Sequence, residues 1–116
     1  MERLTIYHNP RCAKSRAALE LLRQREVPLD VVEYLKTPLT LEELRALRKK
    51  LGLPPSAWVR KGEKEYKAAG LSDQSSEEEI LKAMAKHPIL MERPIVVRGK
   101  RAVVGRPPER VLELLH

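Results

Sequence analysis

Several kinds of residue are scarce in this sequence. Its 116 residues include one cysteine, no phenylalanine and only 3% aromatic side chains. A single cysteine excludes an intramolecular disulfide and a zinc site made only of cysteines. If the cysteine takes part in redox chemistry, the second thiol must therefore come from another molecule. The shortage of aromatics predicts a core of leucine, valine, isoleucine and alanine. No apolar run approaches the roughly 18 residues that a membrane-spanning helix needs.

Acidic residues are outnumbered by basic ones. The chain has 23 Lys and Arg against 16 Asp and Glu, which gives a formal net charge of +7. This balance favours an anionic partner. Nucleic acid fits poorly, because the basic residues are not interleaved with aromatics and no binding motif is present. The chain enters a strand-like pattern at once and leaves no room for a signal peptide, so we expect a cytoplasmic protein that binds neither membranes nor nucleic acid.

The first third of the chain predicts a strand, a helix and a second strand. Residues 4–8 alternate in polarity, residues 15–25 carry apolar side chains at helical spacing, and residues 29–35 are rich in strand formers. A strand, helix and strand of this length predict a right-handed crossover between two parallel strands of one sheet.

The middle third predicts a helical insert. Thr40 and Ser76 each precede a glutamate by three residues and so predict capping boxes, the first helix ending at Gly52 and the second at His87. Ser56 is expected to cap a short helix, and the polar stretch of residues 62–75 looks the least ordered.

The last third predicts an antiparallel hairpin, residues 95–97 and 102–104, followed by a helix that begins at Pro107-Pro108. The whole is an α/β arrangement with a mixed sheet, parallel β-α-β plus antiparallel β-hairpin, and a helical insert. This is the layout of a thioredoxin-like fold. We expect one domain over residues 1–116.

Cys12 is predicted to be reactive rather than an inert core thiol. It follows a strand and precedes a helix, where free backbone N–H groups and the helix dipole stabilise an anion. Basic neighbours, Arg11, Lys14 and Arg16, add positive charge. Thiolates in such settings have pKa values of about 3.5 to 7.5 rather than about 8.5. The same groups would bind a small tetrahedral oxyanion beside the sulfur, with the Arg16 guanidinium reaching two oxygens.

Two polar residues near Cys12 have alternative interpretations. Ser15 could donate a hydrogen bond to the Cys12 thiolate, cap the following helix, or do both. His8, at the end of the first strand, is either a buried or capping histidine or a partner that lowers the thiol pKa. Only three residues separate Cys12 from Arg16, too few for the phosphate-wrapping loop of protein phosphatases.

Residues 8–16, HNPRCAKSR, closely resemble the active-site loop of glutaredoxin-linked arsenate reductases, which have a thioredoxin-like fold with a helical insert. The resemblance extends along nearly the whole chain. It implies that Arg60, Arg93 and Arg106 surround the cysteine and bind arsenate. It also implies a cis proline at Pro94.

The chemistry implied by this resemblance is thiol-dependent reduction of arsenate to arsenite. The Cys12 thiolate would form a covalent cysteine–arsenic intermediate, with glutathione and a glutaredoxin-like protein as external reductants. No metal and no bound organic cofactor would be needed, and we expect a monomer.

Two other classes of protein remain open. One is a regulator of the Spx type that binds RNA polymerase, although such proteins typically carry a second cysteine where this chain has Ser15. The other is a monothiol glutaredoxin-like enzyme, which would use Cys12 but would not need the three arginines together.

Overall fold

The structure is a computed structural model, and it describes residues 2–116. These residues form two compact units. The first contains residues 2–37 and Arg93–His116, and the second is Pro38–Glu92. The second unit corresponds to the predicted helical insert. That residues 1–116 form one domain stays a prediction.

The first unit contains a four-stranded sheet. Its strands are β1 (Leu4–His8), β2 (Leu29–Glu33), β3 (Ile95–Arg98) and β4 (Arg101–Val104), in the order β2-β1-β3-β4. As predicted, β1 and β2 are parallel and β3 and β4 form an antiparallel hairpin. β1 and β3 are antiparallel, which joins the two halves into one mixed sheet. Strand β2 ends two residues earlier than predicted because the chain turns after Glu33, whose carbonyl accepts the N–H of Lys36.

Two helical segments cover this sheet. Helix α1 is Ala13–Gln24, and the helix predicted to begin at Pro107-Pro108 is a 3-10 helix, Pro108–Leu115. Aliphatic side chains from both helical segments and the sheet form the core of this unit: Leu4, Ile6, Ala18, Leu19, Leu22, Val96, Val111 and Leu114.

The second unit contains helices α2 (Leu41–Leu51), α3 (Lys64–Ala68) and α4 (Glu77–Lys86), with 3-10 turns at Pro55–Ala57 and Pro88–Leu90. The capping boxes at Thr40 and Ser76 are confirmed. Gly52 has a left-handed φ of 67° at the end of α2, and His87 caps α4, both as predicted.

One prediction for this unit is wrong. Ser56 does not cap a helix, because the N-cap lies two residues earlier, at Pro54, and the 3-10 turn begins at Pro55. The polar stretch of residues 62–75 contains α3, which is anchored by the buried side chain of Tyr66. None of the helices formed by residues 2–116 is long and apolar enough to cross a membrane.

Candidate active site

The site is built on the loop between β1 and α1. The N–H of Cys12 donates to the Asn9 carbonyl (3.0 Å), and the Asn9 side-chain oxygen accepts the N–H of Arg11 (3.0 Å). These bonds fold the Asn-Pro-Arg-Cys segment into a tight turn. An Asn-Pro dipeptide is a recognised turn signal.

Cys12 is the N-cap residue of α1. Its backbone is extended (φ −94°, ψ 121°), and its carbonyl accepts the N–H of Arg16 at 3.0 Å, the first bond of the helix. The helix therefore begins at Ala13, and the alternative in which Ser15 is the N-cap is wrong. Since Cys12 occupies the cap, its half-buried sulfur lies where the first N–H groups of the helix lack intrahelical partners.

The pKa of the Cys12 thiol is lowered in the folded protein. Burial alone would raise it, but that effect is outweighed by hydrogen bonds from the backbone N–H groups of Ser15 and Lys14 and by a hydrogen bond and the positive charge of Arg93. Each of these stabilises the thiolate over the thiol. A low-pKa thiolate is a nucleophile near neutral pH.

The Ser15 hydroxyl belongs to a buried polar cluster. Its oxygen accepts the N–H of Asn9 (3.1 Å) and lies 2.6 Å from His8 Nδ1. All three residues are at most 6% exposed. They tolerate burial because their polar atoms bond to one another. The Ser15 group that reaches the sulfur is its backbone N–H, and its hydroxyl bonds within the cluster.

His8 is a buried histidine whose hydrogen bond goes to Ser15. Burial lowers its pKa, Arg23 and Arg16 lower it further, and Glu33 opposes them. The neutral imidazole is thereby favoured, and its Nδ1 can accept the serine O–H while the serine oxygen accepts from Asn9.

The guanidinium of Arg93 is the most informative cation of the site. It lies beside the sulfur of Cys12, and its Nε and Nη1 are buried without a hydrogen-bond partner among residues 2–116. Buried donors are nearly always paired in folded proteins. Two unpaired donors next to a thiolate point to an anion that binds there.

The other predicted arginines are engaged in contacts. Arg16 is exposed, and its Nη1 donates to the Pro10 carbonyl (2.9 Å). Arg106 donates from Nη1 to the Arg93 carbonyl (3.0 Å). The Arg93–Pro94 peptide bond is cis, as the resemblance implied, and so is Arg106–Pro107, which the sequence analysis did not anticipate.

Arg60 lies in the second unit and pairs there with two carboxylates. Its Nε donates to Glu63 (3.2 Å) and its Nη1 to Glu92 (2.8 Å), and these ion pairs raise its pKa against the opposing effect of burial. Glu63 and Glu92 were not foreseen, since nothing in the local sequence relates Glu92 to Arg60. Residues 2–116 contain no group of three His, Cys, Asp or Glu side chains placed to hold a metal ion.

Fold and site together define a thioredoxin-like protein with one activated cysteine at the N-terminus of its first helix. Residues 7–114 match the model of the ArsC family, and the chain belongs to that family.

Similar proteins agree with this assignment. An arsenate reductase of Neisseria meningitidis is 44% identical over 117 residues, covering 99% of this chain and 100% of that one. The uncharacterized protein YfgD of Escherichia coli is 48% identical over 116 residues, with 98% of both chains covered. The solved structure of an arsenate reductase from Vibrio cholerae superposes with a TM-score of 0.91 at 46% identity, over 97% of each chain.

Proposed function

We propose that this protein is an arsenate reductase whose nucleophile is Cys12. The observation that carries the proposal is a pair of buried Arg93 nitrogens beside a cysteine of lowered pKa, which find no hydrogen-bond partner within residues 2–116. A tetrahedral dianion would satisfy these donors and present its central atom to the sulfur. The arsenate reductases among its relatives, 44% identical in Neisseria meningitidis and 40% in Escherichia coli, support arsenate as that anion.

The reaction begins when the Cys12 thiolate attacks arsenic and a sulfur–arsenic bond forms. One arsenate oxygen takes up a proton and leaves as hydroxide or water. Glutathione then attacks the arsenic as a second thiolate and displaces a second oxygen as water. A second external thiol attacks the glutathione sulfur, so that a disulfide forms between these two thiols and the electron pair of the broken sulfur–arsenic bond stays on arsenic, which falls from +5 to +3. Water then hydrolyses the bond between Cys12 and arsenic, which releases arsenite and free Cys12. A glutaredoxin-like protein supplies the second thiol, because the chain has no cysteine besides Cys12.

Four arginines are proposed to bind the oxyanion: Arg16, Arg60, Arg93 and Arg106. Arginine suits this task because its planar donors match two oxygens at once and its charge is constant. Arg60 retains its charge firmly, since Glu63 and Glu92 raise its pKa. His8 and Ser15 would act through the loop conformation that places Cys12 at the helix N-terminus.

The remaining parts of the proposal concern the setting of the reaction. We propose a monomeric cytoplasmic enzyme that carries no bound cofactor, because external thiols provide the electrons. The cytoplasm maintains the reduced glutathione that such a cycle consumes.

The test is arsenate-dependent NADPH oxidation coupled to glutathione, glutaredoxin and glutathione reductase. We expect turnover in the wild-type protein, none in Cys12→Ser, and a loss of about 10²-fold or more in Arg93→Ala, since a buried donor at the reacting anion is typically worth that much. Arg110→Ala is the matched control: it removes one arginine, whose Nε bonds to Glu113 on the surface.

A glutathione mixed-disulfide substrate distinguishes the arsenate reductase from the alternative, a monothiol glutaredoxin-like enzyme. If arsenate turnover is absent while Cys12 removes glutathione from that substrate, and Arg93→Ala leaves this activity intact, the arsenate proposal is wrong.

A further inference from the structure

Few bonds of its own fix the Arg93 side chain. Its guanidinium donates a hydrogen bond to Cys12, while its Nε and Nη1 have no hydrogen-bond partner among residues 2–116. A long side chain with so few bonds would lose its orientation unless the backbone that carries it were held in place. The contacts of that backbone are therefore informative.

The loop after β4 holds this backbone at two consecutive carbonyls. The N–H of Gly105 donates to the Pro94 carbonyl at 2.8 Å, and Nη1 of Arg106 donates to the Arg93 carbonyl at 3.0 Å. The charge on Arg106 strengthens the second bond. Both peptide units on either side of Pro94 are thus anchored to a single short segment.

Packing at Gly105 makes the anchor sensitive to a single methyl group. A Cβ on Gly105 would lie 2.8 Å from Pro94 Cγ and 2.8 Å from Val111 Cγ1. Neither neighbour can move cheaply, because one belongs to a buried, rigid ring and the other to a fully buried core side chain. A larger residue at position 105 must therefore shift Pro94, Val111 or the loop itself, and each of these shifts would disturb the contact between the loop and the backbone of Pro94.

We infer that Gly105 and Arg106 are positioning residues, which hold the backbone of Arg93 and Pro94 so that the Arg93 guanidinium stays beside Cys12. The inference rests on the proposed role of Cys12 as the nucleophile and deepens it. Arg106 acts here through a carbonyl of the protein, in addition to any contact with the oxyanion that the family resemblance implies.

The experiment measures the thiol pKa of Cys12 from the pH dependence of its alkylation by iodoacetamide. It needs no arsenate, so its outcome is separate from that of the turnover assay. The variants are Arg93→Ala, Arg106→Ala and Gly105→Ala, together with each of the last two combined with Arg93→Ala. Circular dichroism and thermal unfolding establish that each variant is folded.

We expect Arg93→Ala to raise the pKa of Cys12 enough to reduce the thiolate about three- to tenfold at low pH. Arg106→Ala and Gly105→Ala should also raise the pKa of Cys12, each by no more than Arg93→Ala does. Each double variant should match Arg93→Ala alone, since a residue acting only through Arg93 has no effect once that side chain is gone. Gly105→Ala changes no charge, so its effect can only come from displacement.

Three results would overturn the inference. The first is an unchanged thiol pKa in Arg93→Ala, and the second is an unchanged pKa in whichever of Arg106→Ala and Gly105→Ala is folded. The third is an effect of Arg106→Ala that adds fully to that of Arg93→Ala, which would mean an independent electrostatic effect. Arg110→Ala, a loss of one charge from the same part of the chain, should leave the pKa within the error of the wild type.

Discussion

Replacing Ser15 by alanine should destabilise the protein far more than the loss of one hydroxyl suggests. Ser15 is fully buried, and its oxygen is shared by the Asn9 N–H and by His8 Nδ1. The substitution removes the common partner and leaves both groups buried without one. Each unsatisfied buried group costs about 1–3 kcal/mol. We therefore expect a loss of about 2–4 kcal/mol, a large part of the ~5–15 kcal/mol typical of a domain.

Urea unfolding monitored by circular dichroism measures this loss. The matched control is Ser72→Ala, because the Ser72 hydroxyl also accepts one backbone N–H, that of Gln74 at 3.1 Å, but at an exposed site. Water replaces the lost partner there, so the control should change the free energy of unfolding by no more than about 0.5 kcal/mol.

The double variant His8→Leu, Ser15→Ala provides a second check. It removes one of the two orphaned groups along with the serine, so its loss should be smaller than the sum of the two single losses. Equal losses for Ser15→Ala and Ser72→Ala would refute the reasoning, because they would show that the cluster does not depend on the serine oxygen.

Two further predictions concern stability. Burial lowers the pKa of His8, so below about pH 6.5 the unfolded chain binds a proton that the folded one does not. As the pH is lowered through this range, the free energy of unfolding should therefore decrease until the pH passes the folded-state pKa of His8. His8→Gln should flatten this pH dependence, and the exposed-site control His116→Gln should not; equal slopes in the two variants would contradict the prediction. Ser76→Ala should cost about 1 kcal/mol because it removes the bond to the Glu79 N–H, while Ser76→Thr should lose less; chemical denaturation distinguishes the two, and an equal loss would contradict the cap.

Local rules of sequence predicted the frame of the fold well. The capping boxes at Thr40 and Ser76 depend on a three-residue spacing that any helix start reproduces, and both are present. The alternation of β1 is likewise borne out, since Leu4, Ile6 and His8 face the interior. Such features need no knowledge of distant residues.

The same rules failed where tertiary contacts compete with local preference. Ser15 has the side chain of a typical N-cap, but its hydroxyl is drawn into bonds with His8 and Asn9, so the helix begins at Ala13 instead. The pairing of Arg60 with Glu92 has the same character. This ion pair links residues far apart in sequence, and no periodicity or spacing predicts it.

The electrostatics of Cys12 show why the composition of the loop was an incomplete guide. The loop sequence favours a role for the charges of Arg11 and Lys14, but both side chains are exposed to water, which screens them. In the structure Lys14 contributes through its backbone N–H, and the charge that lowers the thiol pKa is that of Arg93. A charge with buried nitrogens acts more strongly because the surrounding dielectric is low. The loop therefore provides the helix N-terminus, and a segment that is distant in sequence provides the cation; only the folded chain brings the two together.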